Sequence, residues 1–281
     1  MEVQWMVNKM TLEEAIRIVR EKCPFEDYIN PAKGAYLNIT QTVMKYLEPP
    51  ARILDFGAGL SDKTAVLAVL GFDCSACDDL QDHWHKLPGN REKIVQFATD
   101  YNINFHLMEH EADFPYQKDE FDMVMMHDIL EHIHDSPRDV LNDLLEFLKP
   151  GGYLFITVPN AANLMKRVLL GIGRTNLPSF DSYYWYPSSW RGHIREYVKD
   201  DLIKLTNYLD LDRIELHGCH NNLISIPRPL RPVWLVLTRI ITSGCDNWLL
   251  VAQKKEGWQS RKYISEEELR KIMKRYIAYK Y

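Results

Sequence analysis

The 281-residue chain predicts an α/β fold, on three observations. Arg52-Ile53-Leu54-Asp55-Phe56 is a short apolar strand running into Gly57-Ala58-Gly59, after which Asp62 to Leu70 has helical spacing. Asp73 to Asp78 is a second short strand that ends in an acid. Phe121 to His127 and Tyr153 to Pro159 are further strands of the buried type, with an amphipathic helix between them. Strands alternating with helices stack into sheet and helix layers.

Length suits one large domain with appendages, big enough to bury a sizeable core. The net charge of −5 gives no global attraction to nucleic acid. Five cysteines, Cys23, Cys74, Cys77, Cys219 and Cys245, form no even framework, and the sequence opens without a signal-peptide pattern. A reducing, cytoplasmic setting is the expectation. Cys74 and Cys77 have C-x-x-C spacing but sit within one strand, where such residues face opposite ways, so neither a redox nor a zinc role is assigned. No window holds eighteen consecutive apolar residues. The nearest approach, 229–241 with Arg228, Arg231 and Arg239 around it, reads either as a peripheral helix touching lipid or as a cap helix packed over the substrate pocket or against the second subunit of a homodimer.

In chain order, Thr11-Leu12-Glu13-Glu14 is a capping box for a helix to about Lys22, and a second helix runs from Ala35 to Leu47, ahead of Pro49-Pro50. Gly57 and Gly59 let the backbone turn with positive φ and approach a ligand closely, and the following helix start offers free N–H donors. Asp55 lies at the carboxyl end of its strand, where open α/β sheets bind ligands. Asp78, roughly twenty residues past the glycines, has the spacing at which a carboxylate meets ribose hydroxyls, with Asp79 as the one-residue alternative. A helix is expected over Arg91 to Tyr101 and a third strand over Asn104 to Glu109.

The most chemically loaded run is His127-Asp128-Ile129-Leu130-Glu131-His132. On a helix Asp128, Glu131 and His132 share one face, and two carboxylates with an imidazole suit a divalent cation. The competing reading is that Glu131 and His132 serve helix capping and packing. Lys149-Pro150-Gly151-Gly152 breaks the next helix before the fifth strand. Phe180 to Trp190 is dense in aromatics and reads either as a stacking platform or as a compact apolar mini-core. Val198 to Leu205 is a capped helix, Arg213 to His217 and Trp248 to Gln253 are the last two strands, and a helix opening at Ser265 leads into a basic, tyrosine-rich end.

The order D-x-G-x-G, acid after the second strand, F-D strand, L-E-H and L-K-P-G-G-x-L resembles a class I S-adenosylmethionine-dependent methyltransferase over about residues 35 to 255. That resemblance implies a Rossmann-like, mostly parallel seven-stranded sheet with helices on both faces and an antiparallel last strand at the sheet edge. It divides the chain into N-terminal lid helices (1–48), an S-adenosylmethionine-binding core (49–160), a substrate cap with the end of the sheet (161–255) and a helical tail (256–281). Asp55, Gly57, Gly59 and Asp78 would then hold the cofactor, with Glu111 at the adenine.

The run ending in Glu131-His132 is further similar to the E-x-x-E-H of metal-dependent O-methyltransferases of ubiquinone biosynthesis and of small-RNA terminal methyltransferases, with Asp128 in place of the first Glu. The latter also use a His in a stretch like His193-Ile194-Arg195-Glu196-Tyr197, so Asp128, Glu131, His132 and His193 are the implied cation ligands. The same stretch resembles methyltransferases of surface-sugar pathways, for which no metal is implied; His127 or His193 is then the candidate base. O-methylation of a small molecule, sugar or lipid-linked glycan is the leading expectation. The Asp/Asn-Pro-Pro-aromatic and Pro-Cys signatures of DNA-base methylation are absent. A terminal RNA ribose methyltransferase comes second and requires Lys166, Arg167, Arg174, Arg191 and Arg195 in one groove. A dehydrogenase is disfavoured because Leu60-Ser61-Asp62 lacks the third glycine of G-x-G-x-x-G, and a non-catalytic scaffold of the same fold is the remaining alternative.

Overall fold

The computed structural model describes residues 10–25, 33–109, 114–221, 226 and 228–273. Tyr hydroxyls, glycines and acids of the site are positioned by a sheet of seven strands: β1 (Arg52–Phe56), β2 (Asp73–Asp78), β3 (Asn104–Leu107), β4 (Phe121–His127), β5 (Leu148–Pro159), β6 (Leu211–Cys219) and β7 (Asn247–Lys254). Their order is β3-β2-β1-β4-β5-β7-β6. Pairings from β3 through β5 are parallel, while β7 runs antiparallel to both β5 and β6. One expectation is corrected here: β7 is not the edge strand. Its residues are buried almost throughout, whereas β6 exposes Asp212, Arg213 and Ile214 and forms the edge.

The helices are α1 (Leu12–Lys22), α2 (Lys33–Tyr46), α3 (Asp62–Val69), α4 (Asn90–Asp100), α5 (Arg138–Phe147), α6 (Leu164–Gly171), α7 (Phe180–Tyr184), α8 (Lys199–Tyr208), α9 (Arg231–Ile240) and α10 (Glu266–Met273). Thr11 caps α1 with the reciprocal Glu14 contact that its sequence encodes. Strand alternation divides the core in two. Ile53, Met123 and Phe155 pack with Ile39, Leu67, Ile94 and Phe97 of the α1–α4 side. Leu54, Val124 and Leu154 pack with Leu141, Leu144, Leu145 and Leu202 of α5 and α8. Among the described residues, no helix is long and apolar enough to cross a membrane.

α2 is anchored from the far side of the sheet. Ala35 N–H donates to the Asn221 carbonyl at 3.1 Å, and Asn38 Nδ2 donates to the His220 carbonyl at 3.1 Å. A Cβ at Gly34 would stand 2.5 Å from the Asn221 oxygen, so only glycine lets the helix come this close. The Tyr36 hydroxyl donates to Asp62 at the start of α3, which holds α2 over the glycine turn. The aromatic stretch of 180–190 is not a mini-core: Phe180, Tyr183, Tyr184 and Trp185 are all exposed, Trp185 by 77%. These rings pair with one another and with Trp190, tilted for Phe180 and Tyr184 and edge-on for the others, rather than with the core.

Candidate active site

Where β1 ends, the chain must turn sharply to enter α3, and Gly57 and Gly59 do so at φ of 74° and 51°. Side chains are strained there in any case. At Gly57 a Cβ would also stand 2.4 Å from Ile129, which lies over the turn. The turn is pinned to the end of β2: Gly57 N–H donates to the Cys77 carbonyl at 2.8 Å, and Gly59 N–H donates to Asp78 Oδ2 at 2.8 Å. The other Asp78 oxygen accepts from Leu80 N–H at 2.7 Å. Burial nevertheless dominates and pushes the Asp78 carboxyl up to about 6. Asp55 is buried too, raised to about 7 by desolvation although Thr64 Oγ1 donates to it at 2.5 Å.

Ser61 caps α3 from the left-handed region, φ 61°, and its hydroxyl is buried without a hydrogen-bond partner. A partnerless hydroxyl, spare lone pairs on Asp78 and a glycine turn at a helix start form a cradle suited to a nucleoside carrying hydroxyls and a charged tail. Asp55, Gly57, Gly59 and Asp78 are thus brought together at the carboxyl end of the sheet, while Glu111 lies outside the described residues. Ser61 was not singled out in the sequence, since a serine at a helix start ordinarily caps its own helix.

Beyond β4 the chain departs from the expected helix. Asp128 has φ 55°, and only Leu130–His132 make a helical turn, of the tight 3₁₀ type. The shared helical face on which Asp128 was expected to join Glu131 and His132 therefore does not exist. Asp128 is instead held by Asn247 Nδ2 at 3.1 Å and Asn221 Nδ2 at 3.4 Å. His127 faces inward, its Nδ1 3.2 Å from Thr157 Oγ1 and its ring against Phe155. Its Nε2 is buried, and desolvation lowers the ring to about 3. An imidazole so weakly basic and so enclosed is not placed to take an acceptor's proton.

Glu131, His132 and His193 do converge: one ligand atom from each lies within 4.8 Å of the others. Glu131 Oε1 is 4.0 Å from His132 Nε2 and 3.9 Å from His193 Nε2. Both Glu131 oxygens are fully buried without a hydrogen-bond partner. Desolvation, reinforced by Asp128, raises this carboxyl to about 9. Each imidazole has its outer nitrogen committed. His132 Nδ1 donates to the Arg191 carbonyl at 2.6 Å, and His193 Nδ1 donates to Glu196 Oε1 at 2.9 Å. In the neutral rings both lone pairs then sit on Nε2, the nitrogens turned towards Glu131. Burial, His132 and Lys166 lower His193 to about 4, which favours a ligand over a base. The donor set, two imidazoles and a carboxylate with outer partners in place, fits a divalent cation.

Arg191 reaches the site from the stretch between α7 and α8. Its guanidinium binds both oxygens of Asp79, at 2.9 and 3.0 Å, and Asp82 Oδ1 at 2.9 Å, while its carbonyl holds His132. Lys166 pairs with Glu196, and Arg195 lies 3.4 Å from Asp201. Three of the five basic residues required by an RNA groove are thus engaged with carboxylates.

Comparison with known proteins bears on the family and the fold. The family described as "Methyltransferase domain" matches residues 30–216. The ubiquinone biosynthesis O-methyltransferase of Rickettsia akari is 24% identical over 192 residues, 68% of this chain and 70% of that protein. The enzyme of the same name from Hydrogenovibrio crunogenus is 25% identical over 132 residues, 47% of this chain and half the length of that relative. Among solved structures, the methyltransferase in complex with the Trm112 methyltransferase activator of Haloferax volcanii superposes with a TM-score of 0.53 at 16% identity, covering 79% of this chain and 91% of that one. An S-adenosylmethionine-dependent methyltransferase of Thermotoga maritima gives 0.51 at 16% identity, covering 87% of this chain and all of the other.

Proposed function

This chain belongs to the methyltransferase domain family and is a class I S-adenosylmethionine-dependent methyltransferase, and from that premise we propose that it methylates a hydroxyl oxygen with the help of a divalent cation held by Glu131, His132 and His193. The acceptor class is a small molecule, sugar or lipid-linked glycan. The observation that carries this reading is the Glu131 carboxylate, buried and without a hydrogen-bond partner between two imidazole nitrogens whose lone pairs face it. The O-methyltransferase names of the bacterial relatives support the oxygen as the methylated atom.

Bound S-adenosylmethionine supplies an activated methyl group on a sulfonium, and a bound cation lowers the pKa of a coordinated hydroxyl. The residues of the chain align and shield. Asp78 offers its unused lone pairs to the ribose hydroxyls. Gly57 and Gly59, without a Cβ, let the backbone come close to the amino-acid tail, and Asp55 orients that tail from beneath. α2, fixed by Tyr36 on Asp62, closes the cradle from water. Glu196 and the Arg191 carbonyl hold the two imidazoles in the tautomer that coordinates.

Transfer of labelled methyl from S-adenosylmethionine to catechol and to sugar diols, before and after chelation, tests the proposal. The expected result is transfer lost on chelation and restored by Mg²⁺, Mn²⁺ or Zn²⁺. Transfer indifferent to chelation would remove the cation from the mechanism. Cation affinity should also depend on pH. Glu131 is raised to about 9 and must lose its proton to coordinate. Mn²⁺ affinity measured by calorimetry should therefore climb by up to about tenfold per pH unit between 6 and 9, with close to one proton released from this carboxyl, and level off above.

A further inference from the structure

We propose that α6 and α9 form a docking face for an anionic lipid surface, beside the mouth of the active site. Both helices rest on the short turn at 242–244. Arg167 of α6 donates to the Ser243 carbonyl at 2.9 Å, and the Gly244 N–H of the turn donates to the Ile241 carbonyl just past α9 at 2.7 Å. A Cβ at Gly244 would touch Leu164 at 3.3 Å and Thr238 at 3.6 Å, so the two helices meet there. Their outer sides are uncovered and apolar. α6 buries no residue and shows Val168 and Leu170, with Ile172 just beyond. α9 buries only Thr238 and shows Val233, Val236 and Ile240, the last exposed by 76%. Thr238 is the inward anchor, hydrogen-bonded to His220 at 2.9 Å.

Charge selects the occupant. Residues 161–192 and 226–245 together hold seven Lys and Arg against a single acid, Asp181, in a chain whose net charge is −5. Arg174 follows α6, Arg228 precedes α9 and Arg239 is in its last turn; all three are exposed, and none forms an ion pair among the described residues. An apolar helical face with arginines at its ends is the arrangement that lies in the headgroup boundary of an anionic bilayer. In a two-fold contact between copies of the chain the same arginines would be brought towards one another, which disfavours that occupant. The face is close to the chemistry, because Lys166 of α6 pairs with Glu196, the residue that holds His193.

The test is co-sedimentation of the full chain with phosphatidylglycerol-containing vesicles and with pure phosphatidylcholine vesicles at low and high salt. We expect binding to the anionic vesicles, weakened by salt. Val236→Glu with Ile240→Glu should abolish it. Arg228→Glu with Arg239→Glu should weaken it by at least about tenfold, at roughly a few-fold per arginine near such a surface. Unchanged melting temperatures in both variants would show that the fold is kept. Absent binding to anionic vesicles, or equal binding to neutral ones, would overturn the proposal. So would a concentration-dependent dimer in sedimentation equilibrium that the glutamates dissolve, since the face would then belong to a second copy.

Discussion

Glu131→Gln is expected to weaken Mn²⁺ binding by more than about a hundredfold, beyond the roughly 10–100-fold that loss of an outer partner costs a metal site. Without cation, S-adenosylhomocysteine affinity should stay close to that of the unchanged chain, because Glu131 belongs to the His132–His193 cluster and not to the glycine cradle. The substitution also separates a ligand from a packing residue. A carboxyl raised from 4.5 to about 9 in the folded state contributes stability below its unfolded pKa and loses it as pH rises through 9. Glutamine keeps the shape of the neutral acid and does not titrate. Without metal, the variant's melting temperature should therefore gain on that of the unchanged chain as pH goes from 5 to 9. If the two curves stay parallel and Mn²⁺ binding is unaltered, Glu131 is neither titrating nor coordinating.

Asp78→Ala should reduce S-adenosylhomocysteine affinity by roughly a hundredfold. Hydrogen bonds to a charged group are each worth about 1.5–3 kcal/mol, and the carboxylate also supports the turn through Gly59. A ligand that donates to this carboxylate favours its ionised form. With the folded pKa raised to about 6, affinity in the unchanged chain should rise from pH 5 to pH 7 and then flatten. Asp78→Asn should remove the part of that pH dependence centred near 6, leaving only what Asp55 contributes near 7, while losing less affinity than alanine does. Calorimetry across this range reads both effects, and a pH profile unchanged in the asparagine variant would transfer the ribose contact to Asp79.

The cradle was legible because every part of it is local. A strand, two glycines and a helix start lie within 52–70, and the acid follows at a fixed distance because one helix and one strand separate the two. The proposed cation site was legible only in part. Glu131, His132 and His193 could be picked by type and by resemblance, but Asp128 was assigned to them on a helical periodicity that its left-handed backbone interrupts. The partners that hold Asp128, Asn221 and Asn247, come from 93 and 119 residues away, and no local pattern reports them. Arg191 was counted only among the basic residues that an RNA groove would need, because a lone arginine in sequence carries no sign of which acid it meets. The position of β7 was missed for a related reason, since the order of strands at the end of a sheet depends on which faces the neighbouring helices leave to be covered.

The stretch between α7 and α8 carries one residue that faces both halves of the centre. The Arg191 side chain is fastened to Asp79 and Asp82, which follow Asp78, and its carbonyl fixes the imidazole of His132. Any ligand that draws the loop after β2 into place also settles His132, and a cation that settles His132 in turn tightens that loop. Thermodynamic linkage makes the effect reciprocal: cation should raise S-adenosylhomocysteine affinity by the same factor by which S-adenosylhomocysteine raises cation affinity. With Arg191→Met that common factor should fall to one, leaving two sites that fill independently on the same fold.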